Sequence, residues 1–188
     1  TTDPGQILEA ERSVPLKRTL FIVSSKSGGT IEVRSLFQYF FAKVQKLRKD
    51  KAGSQFIAVT DPGTSLEKLA REKGFRRIFT TPEDVGGRFS ALTYFGLVPA
   101  ALLGVDVGRL LARAAGFARA CGPEIPAEEN EPLLVGAALG LLGKAGRDKA
   151  TFLLSKEISS FGVWVEQLIA ESTGKEGRGL VPVEGEPL

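Results

Sequence analysis

The sequence predicts an α/β fold built on a parallel sheet, and three observations carry the prediction. Apolar runs of strand length alternate with segments whose apolar residues recur at helical spacing. Glycine and proline punctuate the junctions. The resulting order, strand–helix–strand–helix–strand, is that of βαβ units, whose strands run parallel.

The first strand is expected at 18–24 (RTLFIVS), a continuous apolar run with β-branched and aromatic members. After Ser-Lys-Ser-Gly-Gly, a helix is expected over 30–47, where Val33, Leu36, Phe37, Phe40, Phe41 and Val44 share one face. A strand at 55–60, a turn at Asp61-Pro62-Gly63, a helix over 65–73 stopped by Gly74 and a strand at 76–80 complete the first sheet. The apolar stretch 89–103, after Gly86-Gly87, reads as a buried helix kinked or broken at Pro99. A helix over 107–120 follows. The segment 121–132, with three prolines and four acidic residues, reads as a linker. A helix at 133–142, a strand at 150–155, a helix at 158–171 and a strand-like 179–183 open a second βαβ cycle. That second sheet is only half-built at residue 188, so the chain is expected to be incomplete. Two strand–Ser-Lys–helix openings, at Ser25-Lys26 and Ser155-Lys156, are the nearest approach to an internal repeat.

Composition narrows the function classes. A content of 43% hydrophobic and 25% charged residues in 188 fits an ordinary globular protein with a well-filled core. No apolar run free of charges and turn residues reaches the roughly 20 residues of a membrane helix. The opening Thr-Thr-Asp-Pro-Gly lacks the basic leader and apolar core of a signal peptide. The net charge of +3 is dispersed except between Lys43 and Lys51, where basic residues suit a helix C-terminus. No aromatic platform accompanies that cluster, so a solvated helix end is a better reading than a nucleic-acid surface. Cys121, the single cysteine, forbids an internal disulfide and fits a reducing, cytoplasmic compartment. With no histidine, a zinc site or a Cys/His or Ser/His pair within the chain is excluded. Its chemistry must run on carboxylates, hydroxyls, lysines and arginines.

Three features could carry such chemistry. Ser24-Ser25-Lys26-Ser27-Gly28-Gly29-Thr30 lies between a strand and a helix, where glycines permit close backbone approach and unpaired helix N–H groups attract an anion. A phosphate is the natural guest, although a plain strand–helix turn with hydroxyl caps fits the pattern equally well. Glu32, in the first helical turn, reads as a dipole-stabilising charge. Gly86-Gly87-Arg88 follows the third strand, at the sheet edge where open α/β folds bind ligands. An arginine there can stabilise an oxyanion. Taken alone, the position reads better as a loop arginine paired with Glu83 or Asp84. Gln167 and Glu171, four apart, share a helical face near a Ser-Thr-Gly stop. A carboxylate at such a boundary can act as a general base, though an exposed helix-end charge is the usual explanation.

Together these features resemble the glucose-6-phosphate isomerase family. The motifs Ser25-Lys26-Ser27-Gly28-Gly29-Thr30-Ile31-Glu32, Gly86-Gly87-Arg88-Phe89-Ser90 and Glu171-Ser172-Thr173-Gly174-Lys175 occur in that family's order. The stretches GGRFSALTYFGLVPAALLGVD and WVEQLIAESTGKEG look especially like the isomerase half of bacterial transaldolase/glucose-6-phosphate isomerase fusions. The resemblance spans essentially the whole chain. It implies sugar isomerase (SIS) domains, each a three-layer α/β/α unit with a parallel sheet: a first domain over 1–122, a linker at 123–132 and the beginning of a second domain over 133–188.

The resemblance also implies an activity, the interconversion of glucose 6-phosphate and fructose 6-phosphate through a cis-enediol. Ser25, Ser27 and Thr30 would hold the substrate phosphate with the Lys26 backbone N–H. Arg88 would stabilise the enediolate, Glu171 would move the proton between C1 and C2, and Gln167 would contact phosphate or sugar. Neither a metal nor an organic cofactor is implied, and the only partners implied are phosphosugars and, at full length, a second subunit in a homodimer. Gly29 and Val33 depart from the family's threonines, which shifts the expected phosphate grip toward backbone N–H groups and the three remaining hydroxyls. The family's upstream glycine-rich loop and its downstream histidine and lysine have no counterpart in this sequence. The chain is therefore expected to be an internal fragment with little or no turnover alone. Three alternatives stand beside this reading: a non-catalytic SIS module that senses a phosphosugar, needing the serine loop but neither Arg88 nor Glu171; an isomerase that also accepts mannose 6-phosphate; and a purely structural role for the fragment, as a scaffold or dimer-forming piece.

Overall fold

The computed structural model describes residues 1–186. The chain forms two compact units, Thr1–Val107 and Gly108–Leu188. The segment 123–132 lies within the second.

The first unit contains α1 (Pro4–Ser13), β1 (Phe21–Ser24), α2 (Ile31–Arg48), β2 (Phe56–Thr60), α3 (Ser65–Glu72), β3 (Arg77–Thr80) and α4 (Tyr94–Leu102). Its three strands are parallel in the order β1-β2-β3, with Phe21 level with Phe56 and Ile57 level with Arg77. All five residues of β2 are buried, as its central place requires. A strand covered on both faces has no reason to alternate polar and apolar residues, and FIAVT does not.

Phe56 is the hub of the core. Its ring stacks on Phe21 at 4.9 Å, meets Phe37 edge-on at 5.7 Å and lies 5.4 Å from Phe75. Phe37 and Val44 bring the buried face of α2 to this cluster, and Leu66 and Ala70 bring that of α3. Burial of each large apolar side chain contributes roughly 1.5–3 kcal/mol.

Two local departures from the sequence expectation have clear causes. The first strand begins at Phe21 rather than at 18, because Leu16–Arg18 forms a 3-10 turn. Gln55, itself buried, pins that turn by donating from Nε2 to the carbonyls of Leu16 at 2.7 Å and Thr19 at 2.5 Å. The helix α1 was not expected at all, yet its start is encoded locally. Asp3 accepts a hydrogen bond from the Gln6 amide at 2.9 Å, and Pro4 occupies the first turn, where its missing N–H costs nothing. Every residue of α1 is exposed or half-buried. A polar clip to α2 holds it: Glu11 accepts from Tyr39 Oη at 2.6 Å and from Lys43 Nζ at 2.7 Å.

The stretch 89–103 corrects a third expectation. It is not one buried helix: Gly87–Leu92 forms 3-10 turns and Tyr94–Leu102 forms α4. Val98 is the buried member of α4, whereas Phe89 is 62% and Leu103 84% exposed. An uninterrupted apolar run reads as buried only if surface is available on every side. Here α4 packs against β2, and its Tyr94 ring lies 5.3 Å from Phe79 of β3, so the sheet covers one side. Pro99 lies inside the helix.

The second unit comprises α5 (Val107–Ala120), α6 (Glu131–Lys144), β4 (Lys149–Thr151), α7 (Ser160–Thr173) and β5 (Val181–Val183). β4 and β5 pair in parallel, Lys149 level with Val181, with α7 as the connection between them. This is the second βαβ cycle, with shorter strands than expected. Asn130 caps α6 by accepting from the Leu133 amide at 3.2 Å and donates to the Cys121 carbonyl at 3.2 Å, so the proline-rich 121–130 segment closes on itself.

Candidate active site

The serine loop sits at the C-terminal edge of the first sheet, where open parallel sheets place their ligands. The Ser25 amide donates to the Val59 carbonyl at 3.0 Å, extending the ladder by one rung before the chain turns. Gly28 makes that turn with φ of +68°, and its amide donates to the Ser25 carbonyl at 3.3 Å. A Cβ on Gly28 would stand 2.9 Å from both the Leu66 nitrogen and the Thr64 Cβ. Conformation and space therefore both demand glycine.

The hydroxyls of the loop differ in burial and partners. Ser25 is buried, and its Oγ is 2.9 Å from Thr30 Oγ1. Ser27 is exposed and accepts from the Gly29 amide at 3.3 Å. Thr30 holds the N-cap position of α2, but its hydroxyl turns to Ser25 instead of capping the helix. The first-turn amides of an 18-residue helix, with their positive partial charge, thus face outward without a side-chain cap. Glu32 is exposed in that same turn.

A polar clamp beneath the loop escaped the sequence reading. The Lys26 ammonium pairs with Asp61 and donates to the Glu83 carbonyl at 3.2 Å. Asp61 also accepts from Thr81 Oγ1 at 2.6 Å, and its amide donates to the Lys26 carbonyl at 3.2 Å. Ser65 Oγ donates to the Gly28 carbonyl at 2.9 Å. Burial pushes the Asp61 carboxyl up, but the hydrogen bonds from Lys26 and Thr81 outweigh it and hold the group below its ordinary value. No local pattern marks Asp61 for this role, since Lys26 and Thr81 lie 35 and 20 positions away in sequence.

Arg88 stands half-buried on the 3-10 turn Gly87–Leu92, in the same unit as the loop. A Cβ on Gly87 would meet nothing within 4 Å, and one on Gly86 would meet only the Phe89 ring at 3.6 Å. Packing against the described residues requires neither glycine.

In the second unit, Gln167 and Glu171 lie on the exposed face of α7, as their spacing predicts. Gln167 Nε2 donates to Glu171 Oε2 at 3.4 Å. The helix ends two residues later, where the Gly174 amide donates to the Ala170 carbonyl at 2.8 Å. A Cβ on Gly174 would lie 2.5 Å from that carbonyl oxygen, so the stop needs glycine. Lys175 Nζ reaches the Glu171 carbonyl at 3.3 Å, a cation at the negative end of the helix. The structure thus brings Ser25, Lys26, Ser27 and Thr30 into one loop and sets Gln167 beside Glu171.

The first unit is a parallel α/β sheet with a serine-rich loop at its C-terminal edge, and the second carries a Gln–Glu pair at a helix end. The chain belongs to the phosphoglucose isomerase family, whose profile matches residues 1–179. The glucose-6-phosphate isomerase of Methanocaldococcus jannaschii is 36% identical over 185 residues, covering 97% of this chain and 44% of that relative. That of Carboxydothermus hydrogenoformans is 36% identical over 179 residues, covering 92% and 37%. Among solved structures, a hypothetical protein from Thermus thermophilus superimposes with a TM-score of 0.88 at 30% identity, over 98% of this chain and 46% of that one. The crystal structure of a glucose-6-phosphate isomerase from Chlamydia trachomatis gives 0.79 at 26% identity, over 98% and 36%. The chain spans less than half the length of these relatives. No helix among the described residues is long and apolar enough to cross a membrane.

Proposed function

We infer that this chain supplies the phosphate-binding loop and the proton-transfer glutamate of an aldose–ketose isomerase acting on glucose 6-phosphate and fructose 6-phosphate. The observation that carries the reading is the serine loop. In a chain of this family, paired Ser25 and Thr30 hydroxyls, the exposed Ser27 and the uncapped first turn of α2 share one short loop at the sheet edge. That arrangement suits a phosphate dianion.

The remaining roles follow from the chemistry of the open-chain sugar. Isomerisation breaks the C2–H bond, places a proton on C1 and passes through an enediolate, with no net oxidation. Glu171 takes the proton and returns it, and Gln167, hydrogen-bonded to it on the same helix face, contacts the phosphate or sugar. Arg88 neutralises the charge that develops on the enediolate oxygens, and its guanidinium cannot itself lose a proton at working pH. Ser25, Ser27, Thr30 and the Lys26 backbone N–H grip the phosphate and so anchor one end of the sugar. The same reading assigns the longer protein two SIS domains, a homodimeric state and a cytoplasmic setting.

Calorimetric titration of the chain with fructose 6-phosphate tests this, with fructose and inorganic phosphate as controls. Saturable binding of the phosphosugar, weakened in Ser25→Ala and in Arg88→Ala but kept in Glu171→Gln, is the expected result. Binding untouched by Ser25→Ala would sink the loop assignment. Binding that needs Ser25 but not Arg88 would favour a phosphosugar-sensing module instead.

A further inference from the structure

The geometry points to Asp61 as a positioning residue that, acting through Lys26, locks the serine loop in the conformation that receives the phosphate. The inference rests on the phosphosugar reading of that loop and adds a residue to it. Three loops leave the C-terminal ends of β1, β2 and β3, and they meet at one ammonium group. Lys26 belongs to the first, its partner Asp61 to the second, and the Glu83 carbonyl that it also contacts, at 3.2 Å, to the third. Asp61 closes the ring twice, by accepting from Thr81 Oγ1 at 2.6 Å and by donating its amide to the Lys26 carbonyl at 3.2 Å.

The side chains of Lys26 and Asp61 are 26% and 16% exposed, so the pair is partly shielded from solvent. The other bonds that hold the loop from outside, from the Ser25 amide to the Val59 carbonyl, from Ser65 Oγ to the Gly28 carbonyl and from Thr60 Oγ1 to the Lys26 carbonyl, join neutral groups and are the weaker kind. The chemical consequence concerns the phosphate. Asp61 neutralises the one cation in the loop, so the grip is left to N–H groups and hydroxyls. Such a grip works only if those donors stay aimed at a common point.

Amide exchange followed by NMR, paired with fructose 6-phosphate titration, tests this on Asp61→Asn, Lys26→Met and the double variant. Lys43→Met, which breaks the distant Glu11 clip, is the control. In Asp61→Asn the Gly28 and Gly29 amides should exchange about tenfold faster while Ala58 in β2 keeps its protection. Phosphosugar affinity should fall about tenfold, and the double variant should be no worse than either single one, because the two act as a unit. Lys43→Met should leave both readings unchanged. Loop amides as protected in Asp61→Asn as in the unaltered chain would overturn the clamp whether or not ligand binds. Loosened amides with unchanged affinity would overturn the positioning role. An unaltered chain that takes up no phosphosugar would overturn the loop reading and the positioning role with it, and the exchange rates would still show whether Asp61 holds the loop. Should Asp61→Asn fail to fold, Lys26→Met, which keeps the apolar stem, decides by the same two readings.

Discussion

Gly53 lies so close to the C-terminal end of α3 that a Cβ on it would stand 1.9 Å from the Lys73 carbonyl oxygen. The next nearest atom, the Gly74 carbonyl oxygen, would be 2.5 Å away. Both are backbone atoms and cannot swing aside as a side chain would. Gly53→Ala should therefore destabilise the first unit at the upper end of the roughly 1–3 kcal/mol typical of overpacking. Urea unfolding measures this, and an unchanged midpoint would contradict the close approach.

Gly28 and Gly87 make a matched pair of tests. Alanine at Gly28 would have to adopt φ near +68° and press on Thr64 and Leu66. Forcing a non-glycine residue into that region costs about 1–3 kcal/mol. Alanine at Gly87 meets open space, and its effect on stability should stay within about 0.5 kcal/mol. Comparing the two melting curves checks both, and equal losses would show that the two turns do not differ as described.

Phe56 is 1% exposed at the hub of the aromatic cluster, and Phe117 is 60% exposed on α5. Truncating the first should cost about 3–5 kcal/mol and truncating the second within about 0.5 kcal/mol. Denaturant titration of Phe56→Ala and Phe117→Ala decides, and a reversed order would place the core elsewhere.

The clip between α1 and α2 predicts a pH dependence. The hydrogen bond from Lys43, then that from Tyr39, holds the Glu11 carboxyl below its ordinary 4.5. The unfolded chain binds this proton more readily, so the stabilisation is complete above pH 4.5 and is lost as pH falls through the lower folded value. Lys43 is held above its ordinary 10.5, chiefly by the hydrogen bond to Glu11, so its contribution is complete below that pH and fades as pH rises through the raised value. The difference in urea midpoint between the unaltered chain and Glu11→Gln should be constant near neutrality and shrink in acid. A difference that persists unchanged to about pH 3, below the unfolded value, would mean that the charge of Glu11 plays no part.

Glu171 can be tested for turnover in a chimera in which this chain replaces the matching 44% of the Methanocaldococcus jannaschii relative. General-base catalysis contributes typically about 10²–10⁴-fold, so Glu171→Gln should lower kcat by that factor with little change in KM. Full turnover in the variant would remove Glu171 from the proposed mechanism.

The parallel α/β character, the face that α2 turns to the core and the pairing of Gln167 with Glu171 are all legible in the linear pattern. Each depends on spacing within a few residues, or on an apolar run long enough to span a sheet. The start of α1 is written there too, in Asp3 followed by Pro4, but the helix has no apolar face to announce it. The stretch 89–103 misleads, since an apolar run records what could be buried and not what surface exists to bury it. The family resemblance marks Lys26 only for its backbone, and the pattern marks Asp61 only as a turn residue. Local periodicity thus decided which segments became strands and helices, because those choices are settled by backbone hydrogen bonds and side-chain spacing within one turn or one strand. The clamp of Lys26, Asp61 and Thr81, the need for glycine at Gly53 and the hub position of Phe56 were decided by tertiary structure alone. Ion pairs, close approaches and burial require surfaces from segments tens of residues apart, and only folding sets those surfaces side by side.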